Sequence, residues 1–258
     1  MTVAAAIFLV SILACLPSRA ETRIYRAEYA VSALGLPVGM SRFETAITPR
    51  SYTLSGTLKA RGLAALFAPT TGSLAAEGRI GRDRVEARTF SLDYVTGGRK
   101  QRTEIGFARG AVTRTLNAPE VKKEGGWIEV EARHLSGALD PISALLVPAA
   151  SARSVCNRTV RVFDGAMRAD VKLTYLRTVP FRTAGFKGDA VTCRARFLPV
   201  SGYPKGKSEI AWMRDKSRID IAFAPIAGTG LFAPVSARIG TQIGPVTIYA
   251  TRFESVTK

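Results

Sequence analysis

Beyond residue 20 the chain holds two cysteines, Cys156 and Cys193, and they are the first residues whose type invites chemistry. An even pair in an oxidising compartment favours a disulfide, Cys156–Cys193. The loop it closes is long enough to stabilise the fold by about 3–4 kcal/mol in the chain-entropy picture. Cys193 falls on the apolar face of the expected strand Val191–Phe197, and Cys156 just precedes Val160-Arg161-Val162. Two free buried thiols are the plainer alternative. A redox pair would need a Cys-x-x-Cys motif or a helix amino terminus beside a thiol, and neither is present. No metal site is expected, because His134 is the only histidine and no cysteine pair has zinc spacing.

Catalytic patterns are equally scarce. Nucleophilic catalysis needs a base beside the nucleophile. His134 sits in the polar stretch Glu131-Ala132-Arg133-His134-Leu135, which reads as an ordinary connection. Gly-x-Ser-x-Gly, P-loop and dinucleotide fingerprints are absent. Paired carboxylates alone can cleave glycosides. Glu28, Glu44, Glu104, Glu129, Glu131, Asp170, Glu209, Asp215 and Asp220 are the candidates. Most fall on polar strand faces, where solvation or cross-strand pairing with Lys and Arg explains them. No catalytic residue and no cofactor is assigned, and a non-enzymatic protein is expected, with a carboxylate-based hydrolase the remote alternative.

The first twenty residues read as a signal peptide. Val3 to Leu16 is an almost unbroken apolar run, and Ser18 and Ala20 satisfy the small-x-small rule, placing cleavage before Glu21. No Lys or Arg precedes the run. A membrane anchor would need about 20 apolar residues, so residues 1–20 are read as a cleaved leader. Cys15, within a loose lipobox, makes a lipoprotein the minor alternative. The mature chain has no other segment able to cross a membrane as a helix. Export to the periplasm follows as the expectation.

Such residues need elements to carry them, and those elements are strands. In Tyr25–Val31 apolar side chains alternate with Arg26 and Glu28. In Tyr52–Arg61, Tyr52, Leu54, Leu58 and Ala60 share one face. In Met167–Tyr175, Met167, Ala169, Val171, Leu173 and Tyr175 oppose Arg168, Asp170, Lys172 and Thr174. A period of two places alternate side chains on opposite faces of a strand, one buried and one wet, as in antiparallel sheets. Similar segments recur at 41–48, 85–94, 102–107, 111–116, 127–131, 159–163, 190–198, 209–213, 218–223 and 246–253. The turn signals Pro49-Arg50, Gly97-Gly98, Asp164-Gly165 and Pro204-Lys205-Gly206 separate many of them. The expectation is all-β: a single antiparallel β-barrel or open β-spiral over residues 21–258. Two stretches break the pattern. Residues 62–68 read as a short helix or apolar loop. Asp140–Val147 reads as a short central helix capped by Asp140 and Pro141 and stopped by Pro148.

Aromatic and aliphatic residues on the inward faces fill a core or line a lumen that holds an acyl chain. The candidate lining is Phe43, Leu54, Leu58, Val171, Leu173, Phe197, Ile210 and Trp212. The formal charge of +17 suggests an anionic partner or simply a solvated basic surface. For an exported chain the nearby anions are lipid head groups and acidic envelope polymers, not nucleic acid.

Several stretches in order resemble a proteobacterial family of exported β proteins, the domain of unknown function 3108. They are the Tyr-rich first strand followed by Gly35-Leu36-Pro37-Val38-Gly39, then Tyr52-Thr53-Leu54-Ser55-Gly56-Thr57 and Gly62-Leu63. Asp140-Pro141-Ile142-Ser143-Ala144, Val162-Phe163-Asp164-Gly165 and Ile210-Ala211-Trp212-Met213-Arg214-Asp215 complete the series. The resemblance implies a secreted β protein without assigned catalysis, and it offers no active-site residues. A similar alphaproteobacterial family of periplasmic spiral β-barrels is tied to envelope integrity and is similarly disulfide-linked. The functional expectation is an envelope protein that binds a lipid-like or amphipathic ligand, or an envelope protein partner. A scaffold with a filled core is the alternative. An outer-membrane barrel fits less well, because the strands are short for spanning.

Overall fold

The computed structural model describes residues 21–256 apart from Leu63, Leu66 and Phe67. The expected leader over 1–20, with Cys15, lies outside the described residues, as does part of the 62–68 stretch.

The strands follow the alternation. Ser51–Ala60 buries Tyr52, Leu54 and Gly56 while Thr53, Ser55, Thr57 and Lys59 face water. Seven strands run as an antiparallel meander: β1 (Arg23–Ala33), β2 (Leu36–Ile47), β3 (Ser51–Ala60), β4 (Thr70–Ile80), β5 (Val85–Thr96), β6 (Arg99–Ala108) and β7 (Ala111–Ala118). The short β8 (Trp127–Ile128) and β9 (Val147–Pro148) follow. Then come β10 (Arg158–Phe163), β11 (Arg168–Thr183), β12 (Phe186–Ser201), β13 (Tyr203–Pro204), β14 (Ile219–Ile226), β15 (Leu231–Thr241) and β16 (Gly244–Val256).

All but β8 and β13, which pair with each other, join one 14-stranded sheet. Its order is β10-β11-β12-β14-β15-β16-β1-β2-β3-β4-β5-β6-β7, with β9 added beside β15. Every pairing is antiparallel, and the last strand lies against the first. Among the described residues the edge strands β7 and β10 do not pair, so the sheet stays open as a spiral. The β11–β12 hairpin curls past β14 and β15, and its tip reaches β16, where the Phe253 amide donates to the Ala184 carbonyl at 2.9 Å. Phe186 packs edge-on against Phe253 with ring centroids 5.3 Å apart.

The segment 136–148 straps the open seam and then fills the interior. Ser136 bridges to Ala111 of β7, and Leu139 bridges to Val162 of β10. The Leu139 amide donates to the Arg161 carbonyl at 2.8 Å. Asp140 then caps the turn that follows: its Oδ1 accepts from the Ile142 and Ser143 amides at 3.0 and 2.8 Å. The short central helix expected here is a single 3-10 turn, Ser143–Leu145. Val147–Pro148 ends it by pairing with Leu231 and Phe232.

Three apolar cores result. One gathers Tyr25, Ala27, Val235, Ile226 and Phe253. A second gathers Leu54, Leu74, Phe90, Ile105 and Phe163 under the strap. The third surrounds the Cys156–Cys193 bridge with Val155, Leu173, Val191 and Phe223.

Alternation at Ile210 and Trp212 predicts a strand over 209–213, but Ser208–Asp215 is an α-helix. Glu, Ala and Met are strong helix formers, and in so short a run they outweigh two apolar residues at spacing two. The strand expected over 127–131 stops at Ile128, and Ala132–Leu135 forms one helical turn. Arg168, placed by parity on the wet face, is only 3% exposed.

Candidate functional site

Between β1–β3 and β14–β16 lies a cavity of about 350 Å³. Tyr25, Ala27 and Tyr29 reach it from β1, Ser41, Phe43 and Thr45 from β2, and Leu54 from β3. Ala233, Ser236, Ala237 and Ile239 of β15 and Ile248 of β16 form the facing wall. The strap supplies the floor through Ile142, Leu145 and Leu146. No lining residue is charged. Phe43 is held in place because its cross-strand partner is Gly56, where any Cβ would meet the Phe43 ring.

The polar atoms in this wall are hydroxyls. The Tyr29 hydroxyl donates to the Pro234 carbonyl at 2.7 Å. Tyr25 and Thr45 are cross-strand partners, and both hydroxyls are buried without a hydrogen-bond partner. Buried polar groups are nearly always paired, so two orphans side by side in one apolar wall call for an explanation. Burial pushes the Tyr25 and Tyr29 phenols well above their ordinary range, and the neighbouring Tyr29 adds to the rise at Tyr25. Both stay neutral and able to donate.

Of the candidate lining residues, Phe43 and Leu54 meet in this cavity. Leu58 lies further along the same face of β3, opposite Gly72. Leu173 is buried in the disulfide core, with Val171 packed against that core, and Phe197 sits opposite Val171 on β12. Ile210 and Trp212 are half-buried on the helix outside the lumen. Parity tells inward from outward but not which stretch of a curled sheet a side chain faces. Thr45 escapes a search for apolar residues by its type. The β15 wall escapes because Ala233, Pro234, Ser236 and Ala237 give almost no hydrophobic alternation.

The other chemistry-bearing residues remain apart. Cys156 and Cys193 form a disulfide with Cα atoms 5.6 Å apart. The His134 Nδ1 accepts from the Glu131 amide at 3.1 Å. The candidate carboxylates pair with basic partners, among them Glu44 with Arg26, Glu28 with Arg42, Glu104 with Arg102 and Arg114, and Asp220 with Arg194. Glu209 instead accepts from Ser208. No cluster of three His, Cys, Asp or Glu residues suited to a metal occurs among the described residues. No helix of the described residues is long and apolar enough to cross a membrane. A second, larger groove of about 640 Å³ lies along the seam, lined by β10 together with Asp83, Arg84, Glu86 and Gly137.

The chain is similar in fold to the crystal structure of a β-barrel-like protein of the domain of unknown function DUF1849 from Brucella abortus. The TM-score is 0.53 at 9% identity, covering 92% of this chain and 99% of that one. A second crystal structure, of a protein from Parabacteroides distasonis, matches with TM-score 0.31 and 11% identity over 92% of this chain and 97% of that one. No curated protein matches the sequence. The model of the family described as protein of unknown function DUF3108 matches residues 25–251, and the chain belongs to that family.

Proposed function

We propose that this is a non-enzymatic protein of the bacterial periplasm that supports the envelope by holding a lipid-like molecule in the cavity between β1–β3 and β14–β16. One observation carries this reading: an uncharged, largely apolar cavity of about 350 Å³ enclosed by β1–β3, β14–β16 and the strap. Ligand pockets combine an apolar lining with a few placed polar groups. Here the lining is uncharged and mostly apolar, which suits an apolar chain. An ionised head group has no counter-charge in the lining and stays outside, because an unpaired buried charge is costly. The apolar run Val3–Leu16 in the sequence, the carboxylates occupied in ion pairs and the disulfide favour an exported, non-catalytic role.

Native mass spectrometry of the mature protein, purified without detergent, tests this directly. Co-extracted lipid should appear on the wild type and fall sharply in Ala237→Phe, which fills the cavity. Absence of any bound lipid, together with no binding across a panel of fatty acids, esters and lysolipids, removes the reading.

The seam groove favours a second reading, an envelope protein partner. Among the described residues, β10 is paired along one side and only bridged by Leu139 on the other. A strand with a free edge accepts an added strand.

A further inference from the structure

We propose that the end of the barrel carrying Leu34, Leu36 and Ile243 docks on an anionic membrane surface. These three are the most exposed large hydrophobic residues among those described, at 63%, 55% and 77%. They are not scattered. Leu34 lies in the β1–β2 turn and Leu36 follows it, Ile243 sits in the β15–β16 turn, and the Leu34 amide donates to the Pro245 carbonyl at 3.0 Å, joining the two tips. Single exposed hydrophobics are ordinary, whereas a cluster marks an interaction site.

Turns normally take Gly, Asn, Asp or Ser. Leu34 instead holds a leucine at a positive φ of 53°, a conformation that costs a bulky residue energy. The chain thus keeps an apolar side chain at an exposed, strained tip where glycine or asparagine would fit without strain. Such outliers point towards function.

Charge selects the partner. Arg61 lies beside the first tip, its amide donating to the Val38 carbonyl at 2.9 Å, and Lys59 pairs in register with Met40. Arg238 is exposed on β15 near the second tip. No acidic residue occurs in 31–41, 57–73 or 238–249, and Asp220, opposite Arg238 on β14, is taken up by Arg194 and Arg218. Lys59, Arg61 and Arg238 have no ion-pair partner among the described residues. Apolar tips beside basic side chains match an interface of acyl chains and anionic head groups.

The cavity opens towards this end. Its inner residues Tyr25, Ala27, Thr45 and Ala233 are buried, while Ser41 and Ile239, nearer the tips, are half-buried. Docking would place the mouth against the membrane, yet it does not depend on what the cavity holds.

Co-sedimentation tests the proposal on mature protein, with vesicles of phosphatidylethanolamine and phosphatidylglycerol against vesicles of phosphatidylcholine alone. The wild type should partition at least tenfold more strongly onto the anionic vesicles, and added salt should weaken the binding. Leu34→Asn combined with Ile243→Ser should lose that binding while keeping the wild-type melting temperature, since asparagine tolerates the positive φ. If that pair misfolds, Leu36→Ser reports on the same tip. Leu116→Ser and Leu176→Ser, at exposed hydrophobics elsewhere, should bind as the wild type does. Absence of binding to anionic vesicles overturns the proposal, as does retained binding in the tip variants or equal loss in the controls. Vesicle binding with no lipid on the purified protein and none taken up from the ligand panel would leave docking standing and remove the cavity reading alone.

Discussion

The Tyr52 hydroxyl donates to Ser143 Oγ at 2.6 Å, tying the barrel wall to the strap inside it. Both residues are almost fully buried. Around Tyr52 the wall is built for this contact, because a Cβ at Gly78 would collide with the Tyr52 hydroxyl. Tyr52→Phe leaves the buried Ser143 hydroxyl without its donor, an asymmetry worth about 1–2 kcal/mol. Urea denaturation should show that loss at an unchanged m-value. Gly78→Ala should cost more than Tyr52→Phe, since the ring and the Glu86 carbonyl both have to move.

The Cys156–Cys193 bridge joins residues separated by 37 positions. It ties the connection before β10 to β12 within a dry core. Replacing both cysteines with alanine should lower stability by about 3–4 kcal/mol, chiefly by releasing the unfolded chain. The same loss should appear when the wild type is unfolded under reducing conditions. A thermal midpoint that does not move would show that the loop is constrained by other contacts.

Asp140 sits at the point where the strap turns inward, and it is fully buried. Burial pushes its carboxyl above the ordinary value of 3.8, although three nearby amides and the Ser143 side chain pull the other way. The unfolded chain therefore ionises first as pH rises. Stability falls from pH 3.8 upwards until the folded carboxyl has also ionised, and then levels off. Asp140→Asn keeps a capping oxygen and removes the titration. Relative to this variant, the wild type should melt progressively lower as pH increases from about 4. A difference in melting temperature that stays constant with pH would mean that burial does not control this carboxyl.

The parts of the fold legible in the sequence are those where large apolar and charged side chains alternate. Tyr52–Ala60 and Tyr25–Val31 are such cases. β4 is not, because its buried face carries Gly72, Leu74, Ala76 and Gly78. Small residues are needed there to make room for the Tyr52 ring and for Tyr94 Cβ and the Asp93 carbonyl, and small residues carry little hydrophobic signal. β15 hides for the same reason. The cavity was half legible: Phe43 and Leu54 follow from parity, whereas Thr45 and Tyr25 matter through a register and an unpaired hydroxyl that no linear pattern reports. The strap's cap was legible from Asp140-Pro141, but its role in closing the seam depends on which strands end at the sheet edges.

Arg168 carries the clearest conflict between pattern and structure, and a sharp prediction. On β11 its side chain should alternate outward, yet it turns under the Ala132–Leu135 helical turn. There Nε donates to the His134 carbonyl at 2.8 Å and one terminal nitrogen to Asp170 at 2.7 Å. The other terminal nitrogen is buried without a partner. Removing a buried charge so imperfectly satisfied relieves a desolvation cost. Asp170 keeps about a third of its surface, 30%, and so recovers water once freed. Volume should then matter more than charge. Arg168→Ala, which empties the site and orphans the His134 carbonyl, should cost about 2 kcal/mol. Arg168→Met, which refills most of the space, should cost under about 1 kcal/mol. Equal losses for Ala and Met in urea denaturation would show instead that the guanidinium's hydrogen bonds hold the Ala132–Leu135 turn to β11.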